Sequence, residues 1–391
     1  MRILIAHSFY RQPGGEDRYV DMQLPLVSQR HTVELLGRRN TDLPGGLLTA
    51  IRMTKSRREQ DEVERTIDEF QPDVVHVHNV YPAFGPAVHL AARRRRVPLV
   101  MTVHNFRLRC PNGYMFTEGA PCRRCEKGAY FNAALHRCFP SRAQSATYAT
   151  GLWVHRFLLH LEDKVDIYIT PSEFVRGRLL EWGFAPERVE VVRNFTELPP
   201  GTPEPGEFGM YLGRLSPEKG VDVLLRALGV AGDPPFRIVG DGPLRADLQE
   251  LARSLGLSRT RFTGQLPTEE VGPLLRSARF LALSSVWDEN APIAALEAMV
   301  SARPLLVTRT GGLPELVSGG EGLSCEVGDH AAMGAAIRTL MDDDELCATT
   351  GRRALERAQQ ELSPGRHLER LERVYERVQA GAPAQGSVRS V

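Results

Sequence analysis

No uninterrupted apolar run in the 391 residues approaches the ~20 needed to cross a bilayer as a helix. The opening MRILIAHSFYRQPGGED offers only RILIA before His7 and a Gly-Gly loop, which is not the pattern of a signal peptide. Low-complexity tracts and short internal repeats are missing. No strand candidate ends in G-x-G-x-x-G, which excludes a dinucleotide-dependent dehydrogenase. No Asp-x-Asp follows a strand either. Asp342 and Asp344 have the spacing, but they lie in MDDDEL between late helices, where helix capping is the simpler job. No side chain declares itself as a covalent nucleophile. These absences point to the cytoplasm and to chemistry without a catalytic metal.

What is present is an ordinary globular composition, 42% hydrophobic and 25% charged, in a chain too long for one core. Apolar strand candidates alternate with amphipathic helices throughout, predicting a parallel α/β architecture. RILIA, TVELL, DVVHVH, PLVMTVH, VDIYIT and VEVVRN serve the first half. GMYLG, FRIVG, RTRFTG, FLALSS, PLLVT and GLSCEV serve the second. FTELPPGTPEPGEFG has no hydrophobic period and reads as a linker. The expected organisation is a doubly wound domain over 1–196, a linker over 197–206 and a second doubly wound domain over 207–363. A helix over 364–380 and a flexible tail over 381–391 follow. Ligands of such sheets bind at the carboxyl ends of the strands, so a cleft between the two domains is the expected site.

Charge is uneven under a net +1. Residues 1–198 hold 28 Lys+Arg against 22 Asp+Glu, and the remainder holds 21 against 26. Arg93–Arg96 and the group Arg52, Lys55, Arg57 and Arg58 would suit anionic lipid headgroups or a phosphate-bearing acceptor. Solvated helix faces would look the same.

Four segments suggest phosphate and sugar binding. Gly14 and Gly15 follow the first strand and precede a helix whose N-terminus would attract an anion, although such a turn is common. In GRLSPEKG, Arg214 and Lys219 stand at a helix start, against the macrodipole preference. A diphosphate gives them a reason to be there. Gly240, Asp241 and Gly242 fit a tight turn near a base or ribose, or any αβ unit. FLALSSVWDENAPIAALEAM places Glu289 in a loop and Glu297 inside a helix starting near Pro292, with the amides of Asn290, Ala291, Pro292 and Ile293 at its mouth. Glu297 has apolar sequence neighbours, so it is either a ligand-bound buried carboxylate or a surface residue. His104 closes a strand and suits either sugar polarisation or packing. His76 and His78 share a strand face, where packing is the simpler role.

The pattern Glu-x7-Glu, preceded by GRL-x4-G and followed by TGGLPELV, resembles the family 4 retaining glycosyltransferases of the GT-B fold. PGGE, DVVHVHN, TVHN and TPSEFVRGRLLEWGF extend the resemblance over nearly the whole chain. It implies two Rossmann-like domains facing a cleft, with acceptor bound by the first and donor by the second. The last helix would cross back to the first domain. The resemblance assigns Arg214 and Lys219 to the donor diphosphate, Glu297 to the ribose, Glu289 to the transferred sugar and His104 to the reacting centre. Gly14 and Gly15 would let the backbone approach the phosphate and acceptor. The implied reaction moves a hexosyl group from a UDP- or GDP-sugar to a hydroxyl of a glycan, lipid-linked saccharide or small metabolite. It proceeds with retention and with no catalytic cofactor. The alternatives are a nucleotide-sugar 2-epimerase or hydrolase on the same scaffold, and a non-catalytic nucleotide-sugar binder. No nucleic acid partner is expected, and membrane contact would be peripheral, at the inner face, through the basic first domain.

Residues 105–145 depart from that family pattern. Cys110, Cys122, Cys125 and Cys138 are spaced C-x11-C-x2-C-x12-C, the ligand count of a structural zinc site. Unpaired thiols in an acceptor loop are the alternative. Lying directly after His104, the insertion is expected to shape acceptor recognition.

Overall fold

The computed structural model describes residues 1–11, 14–40, 52–54 and 57–381. Lys55 and residues 382–391, expected to be a flexible tail, lie outside them. The chain divides into two compact units, the first comprising 1–118, 122–193 and 367 onward, the second 119–121 and 194–366.

The first unit holds six parallel strands: β1 Arg2–Phe9, β2 Thr32–Arg39, β3 Val74–Val77, β4 Leu99–Thr102, β5 Ile167–Thr170 and β6 Val189–Val191, in the order β2-β1-β3-β4-β5-β6. All four residues of β3 and of β5 are buried, as in a sheet covered on both faces. On one face lie α1 Gly15–Ser28 and the final helix, Pro364–Gln379. On the other, α2 Arg57–Phe70, α3 Ala87–Arg95 and α5 Glu173–Glu181 contribute Val63, Ile67, Val88, Val175 and Leu179 to the core. The final helix is strongly tied to this unit. His367 Nδ1 is 2.8 Å from the Arg193 carbonyl oxygen, Tyr375 Oη is 2.7 Å from His76 Nδ1, and Glu372 accepts from Arg30 and His31 at 3.0 Å.

The insertion holds a two-stranded ribbon, Phe116–Thr117 with Ala120–Pro121, and a one-turn helix Asn132–Leu135. It runs on into α4 Arg142–Trp153 and the turn Val154–Leu158 that follows, so the inserted segment extends to Leu158. Its own core is small: Cys125, Tyr130, Ala133, Ala149 and Leu152.

In the second unit, β7 Phe208–Leu212, β8 Phe236–Val239, β9 Thr260–Gly264, β10 Ala278–Leu283, β11 Leu305–Thr308 and β12 Gly322–Cys325 form a parallel sheet ordered β9-β8-β7-β10-β11-β12. Helices α6 Val221–Val230, α7 Arg245–Ser254 and α10 His330–Asp342 bury one face. Helices α8 Thr268–Ser277, α9 Ile293–Val300 and α11 Asp344–Glu361 bury the other. The strand order reverses between β7 and β10, the switch point at which such sheets bind ligands.

Several expectations change. The Pro/Gly-rich stretch carries neither helix nor strand, yet it is not a free tether. The buried Arg303 donates to the carbonyls of Thr202 and Glu204, and the Gly201 amide donates to the Val300 carbonyl at 2.8 Å. In MDDDEL the cap is Asp343, which accepts from the Leu346 amide, while Asp344 pairs with Arg279. The Arg93–Arg96 run is half neutralised. Arg94 pairs with Glu64 at 3.3 Å, and Arg95 with Glu64 at 3.1 Å and Asp68 at 2.6 Å. Arg52 likewise pairs with Glu59 at 3.0 Å.

Candidate active site

At the switch point of the second sheet the chain leaves β7 through Gly213–Ser216, turns once over Pro217–Lys219 and enters α6 through Gly220. Gly220 has φ +58, and a Cβ there would lie 2.3 Å from the Ser284 carbonyl oxygen, so only glycine allows this turn to press against the end of β10. Ser284 Oγ donates to the Lys219 carbonyl at 3.0 Å and the Val286 amide to that of Glu218 at 2.9 Å. Two loops from neighbouring strands are thereby stitched together.

That stitching sets Lys219 Nζ 2.6 Å from Glu289 Oε1, and Ser285 Oγ donates to the same oxygen at 2.6 Å. Lys219 also lies 5.1 Å from the centre of the Trp287 ring. Burial pushes the Glu289 carboxyl up. The Lys219 cation and hydrogen bonds from Lys219, Ser285 and Trp287 outweigh it and hold the group below the usual carboxylate range. Arg214 is exposed, and its guanidinium has no hydrogen bond or ion pair among the described residues. The site thus holds a buried, charge-paired carboxylate, and Arg214, five residues before Lys219, leaves an exposed cation without an ion pair among the described residues.

Glu297 has no exposed surface and is packed within α9 among Ala295, Leu296, Ala298 and Met299, which rules out the surface reading. Pro292 caps this helix in an extended conformation rather than beginning it. Having no N–H, it removes one of the four amides expected at the helix mouth; Asn290, Ala291 and Ile293 keep theirs. Asn194 Nδ2 donates to the Ala291 carbonyl at 3.0 Å, fixing the loop from outside.

Sequence reasoning missed the residues that hold Glu289 in place. Thr308 Oγ1 donates to the Ser285 carbonyl at 2.6 Å, and Thr310 Oγ1 to that of Trp287 at 3.0 Å. The Gly312 amide donates to the Glu289 carbonyl at 2.7 Å. Gly311 has φ +57, and a Cβ there would fall 2.1 Å from that same oxygen. The doubled glycine of TGGLPELV was the available signal.

Other predicted residues have structural work. Cβ atoms on Gly240 and Gly242 would collide with the Gly213 and Leu215 carbonyls at 1.9 and 2.3 Å, so these glycines serve chain packing. Asp241 accepts from the Gly242 amide at 2.7 Å and from Arg245 at 2.8 Å. In the first unit the Gly14 amide donates to Asp17 Oδ2 at 3.1 Å, so an acid of the protein already occupies that donor. A Cβ on Gly14 or Gly15 would meet nothing within 4 Å.

His104 belongs to the first unit. Its Nε2 is 2.9 Å from His78 Nδ1, and the two rings stack 5.2 Å apart. Burial, then the charges of His7 and His76, push His104 down to about 3, so at neutral pH it offers a neutral imidazole and not a cation. His76 is spent on Tyr375 and on Thr102 at 2.8 Å, which is a packing role. Beside His104 opens a cavity of about 680 Å³, counting its solvent-filled mouth. Its lining includes His78, Tyr81, Asn105, Arg107 and His155. Arg107 lies over the Tyr81 and Tyr148 rings at 5.4 and 5.9 Å and makes no ion pair among the described residues.

Cys110, Cys122, Cys125 and Cys138 are free thiols that line one small cavity together. Among the described residues no group of three His, Cys, Asp or Glu side chains is set to hold a metal ion. No helix among them is long and apolar enough to cross a membrane.

Two family models match in tandem: a glycosyl transferase 4-like domain over residues 9–194 and glycosyl transferases group 1 over 196–357. A glycogen synthase of Mycobacterium tuberculosis is 30% identical over 303 residues, covering 74% of this chain and 64% of that protein. A D-inositol 3-phosphate glycosyltransferase of Corynebacterium efficiens is 33% identical over 170 residues, 40% of either chain. The chain thus spans less than two thirds of the length of these relatives. The structure of Anabaena HepE in complex with UDP and glucose superposes with a TM-score of 0.69 at 19% identity, over 96% of this chain and 99% of that one. The tandem family matches and the two switch-point sheets agree, and the chain belongs to the group 1, family 4-like glycosyltransferases, with the two α/β domains of the GT-B fold.

Proposed function

We propose that this protein transfers a hexosyl group from a nucleoside diphosphate sugar to an acceptor hydroxyl, with retention of configuration and without a catalytic metal. The observation that carries this reading is the Lys219–Glu289 pair at the switch point, with Arg214 exposed on the same β7–α6 connection. Departure of a nucleoside diphosphate develops negative charge on its phosphate oxygens. Arg214 and Lys219 are preorganised cations for that charge. Glu289, kept ionised, accepts hydrogen bonds from hydroxyls of the transferred sugar, and the buried Glu297 accepts from the ribose. His104, neutral, donates or accepts a hydrogen bond at the sugar but supplies no positive charge. The acceptor hydroxyl attacks from the face the phosphate leaves, and the departing phosphate takes its proton.

A UDP-linked donor is favoured by the likeness to HepE, whose structure holds UDP and glucose. The acceptor binds in the first unit, in the cavity beside His104. The unpaired Arg107 there suits an acceptor bearing a phosphate or carboxylate.

The test is a thermal-shift screen of nucleoside diphosphates and their sugars, followed by product analysis with candidate acceptors. Stabilisation by a UDP- or GDP-sugar and an acceptor-dependent glycoside product are expected. No stabilisation by any nucleotide would refute the donor site. Free sugar formed regardless of acceptor would identify a hydrolase, and a 2-epimer an epimerase.

A further inference from the structure

Nine large apolar side chains are exposed among the described residues, and six fall within residues 114–158: Tyr114, Phe131, Leu135, Trp153, Phe157 and Leu158. Phe131 and Leu135 are 68% and 62% exposed. They are spaced i, i+4 at either end of the turn around Asn132–Leu135, and so project from one side of it. Trp153 and Phe157 repeat that spacing where α4 ends, their rings 6.0 Å apart. Tyr130 joins the two pairs, since its ring lies 6.3 Å from that of Phe157 and it precedes Phe131 directly. The insertion therefore turns its largest apolar groups outward, while its inner core keeps mostly small ones. Scattered exposed apolar residues mean little, but a concentration of this kind marks an interaction surface.

The charges on the same segment indicate what covers it. Arg123, Arg124, Lys127, Arg137 and Arg142 are all exposed. The only acids between 114 and 158 are Glu118 and Glu126. Glu118 is engaged by His136 at 3.0 Å and Arg124 at 3.4 Å, and Glu126 accepts from Trp182 Nε1 at 3.3 Å. Exposed aromatic and leucine side chains interspersed along the chain with exposed Lys and Arg are the composition of a bilayer interface. Five exposed cations against two engaged acids leave the segment net positive, which complements an anionic surface. We propose that this face of the insertion docks the protein on an anionic lipid surface, its aromatic and leucine side chains at the headgroup boundary and its cations against lipid phosphates. In the Arg93–Arg96 run, by contrast, Arg94 and Arg95 are paired with Glu64 and Asp68. The proposal does not depend on the transfer chemistry.

The test is cosedimentation of the full chain with vesicles of phosphatidylcholine alone and of equal parts phosphatidylcholine and phosphatidylglycerol. Binding to the anionic vesicles only, weakening as salt rises, is expected. The double variants F131S/L135S and R123Q/R124Q should each lower the partition coefficient about tenfold or more. Their melting temperatures should stay at the wild-type value, which keeps misfolding from imitating the loss. Absence of binding to anionic vesicles would overturn the proposal, as would binding that both variants retain. A wild-type dimer that F131S/L135S dissociates, with no vesicle binding, would make a second copy the occupant and overturn it too.

Discussion

Lys219 Nζ stands 2.6 Å from Glu289 Oε1, across two loops that leave strands on either side of the sheet's switch point. On the proposed function the pair joins a leaving-group cation to a sugar-binding carboxylate, so its two functions can be separated by mutation. Lys219→Ala should lower turnover about 10²–10³-fold. It also strands a buried carboxylate, at a cost of about 1–3 kcal/mol in urea unfolding. The double variant K219A/E289Q removes the stranded charge and should regain most of that stability while regaining no turnover. Near-wild-type turnover in Lys219→Ala would remove its role at the leaving group.

Gly311 offers a test of how tightly Glu289 must be held. Alanine there is strained by φ +57 and meets the Glu289 carbonyl oxygen at 2.1 Å, so the carboxylate loop must move. Gly232 has φ +86 but open space around it, which makes Gly232→Ala the control for strain alone. Gly232→Ala should lose about 1–2 kcal/mol and Gly311→Ala more, because it adds a backbone clash to the strain. Only Gly311→Ala should raise the donor KM, and equal kinetics in the two would show that the loop tolerates displacement.

These two glycines also show where sequence reading stopped. The doubly wound architecture was legible because buried parallel strands are written as short apolar runs that need no knowledge of their neighbours. Lys219, Glu289 and Glu297 were legible as chemistry out of place, cations at a helix start and a carboxylate among alanines. Glu289's supports were not, because Thr308 and Thr310 lie about twenty residues further on and act through backbone carbonyls that carry no sequence signature. The reverse holds for Gly240 and Gly242, whose ligand-like spacing is required by the neighbouring strand's backbone. Charge runs stayed open between binding patch and solvated face for a related reason. Arg93–Arg96 looks bare until α2 brings Glu64 and Asp68 alongside Arg94 and Arg95, whereas each outward-facing apolar pair of the insertion spans a single turn, too short to set an amphipathic pattern.

Arg107 predicts what the acceptor carries. It lies over two rings, makes no ion pair among the described residues and feels the Glu16 carboxylate only through space, and the histidines near it are neutral, so it is a cation beside His104 with no carboxylate in contact. Arg107→Gln should raise the KM for a phosphorylated or carboxylated acceptor about 10–100-fold while leaving donor binding intact. The matching neutral acceptor should be used poorly by both proteins. Equal KM values in wild type and variant would place the acceptor's charge elsewhere.

Acid should unfold the first unit. Burial holds His76, His89 and His104 down near 3 and His155 and His367 near 4, against about 6.5 in the unfolded chain. Below pH 6.5 the unfolded state takes protons that the folded state refuses. Stability is therefore fullest above that value and falls as pH drops toward 4. Each histidine contributes a slope of at most about 1.4 kcal/mol per pH unit. Urea midpoints at pH 7.5, 6 and 5 should decline steeply over the lower interval, and His76→Gln should flatten the decline. A midpoint independent of pH across this range would mean that these rings are hydrated or already charged in the folded protein.

The four thiols of the insertion lead to a prediction about metal. Burial, and then the other three cysteines, push Cys125 up to about 12, so the sulfurs are close enough to repel as thiolates and stay protonated without a counter-charge. Zinc supplies that counter-charge and displaces the protons. As the sulfurs stand they do not form a ligand set, so binding must draw them inward around the small cavity that they share. A segment with a small core gains most from such a staple. We propose one structural zinc per chain in protein purified under reducing conditions without chelator, measured by elemental analysis. Chelation should release it and expose 110–138 to protease while β1–β4 remain protected. Absence of zinc from that preparation, with the segment equally protected before and after chelation, would leave the cysteines as packed thiols.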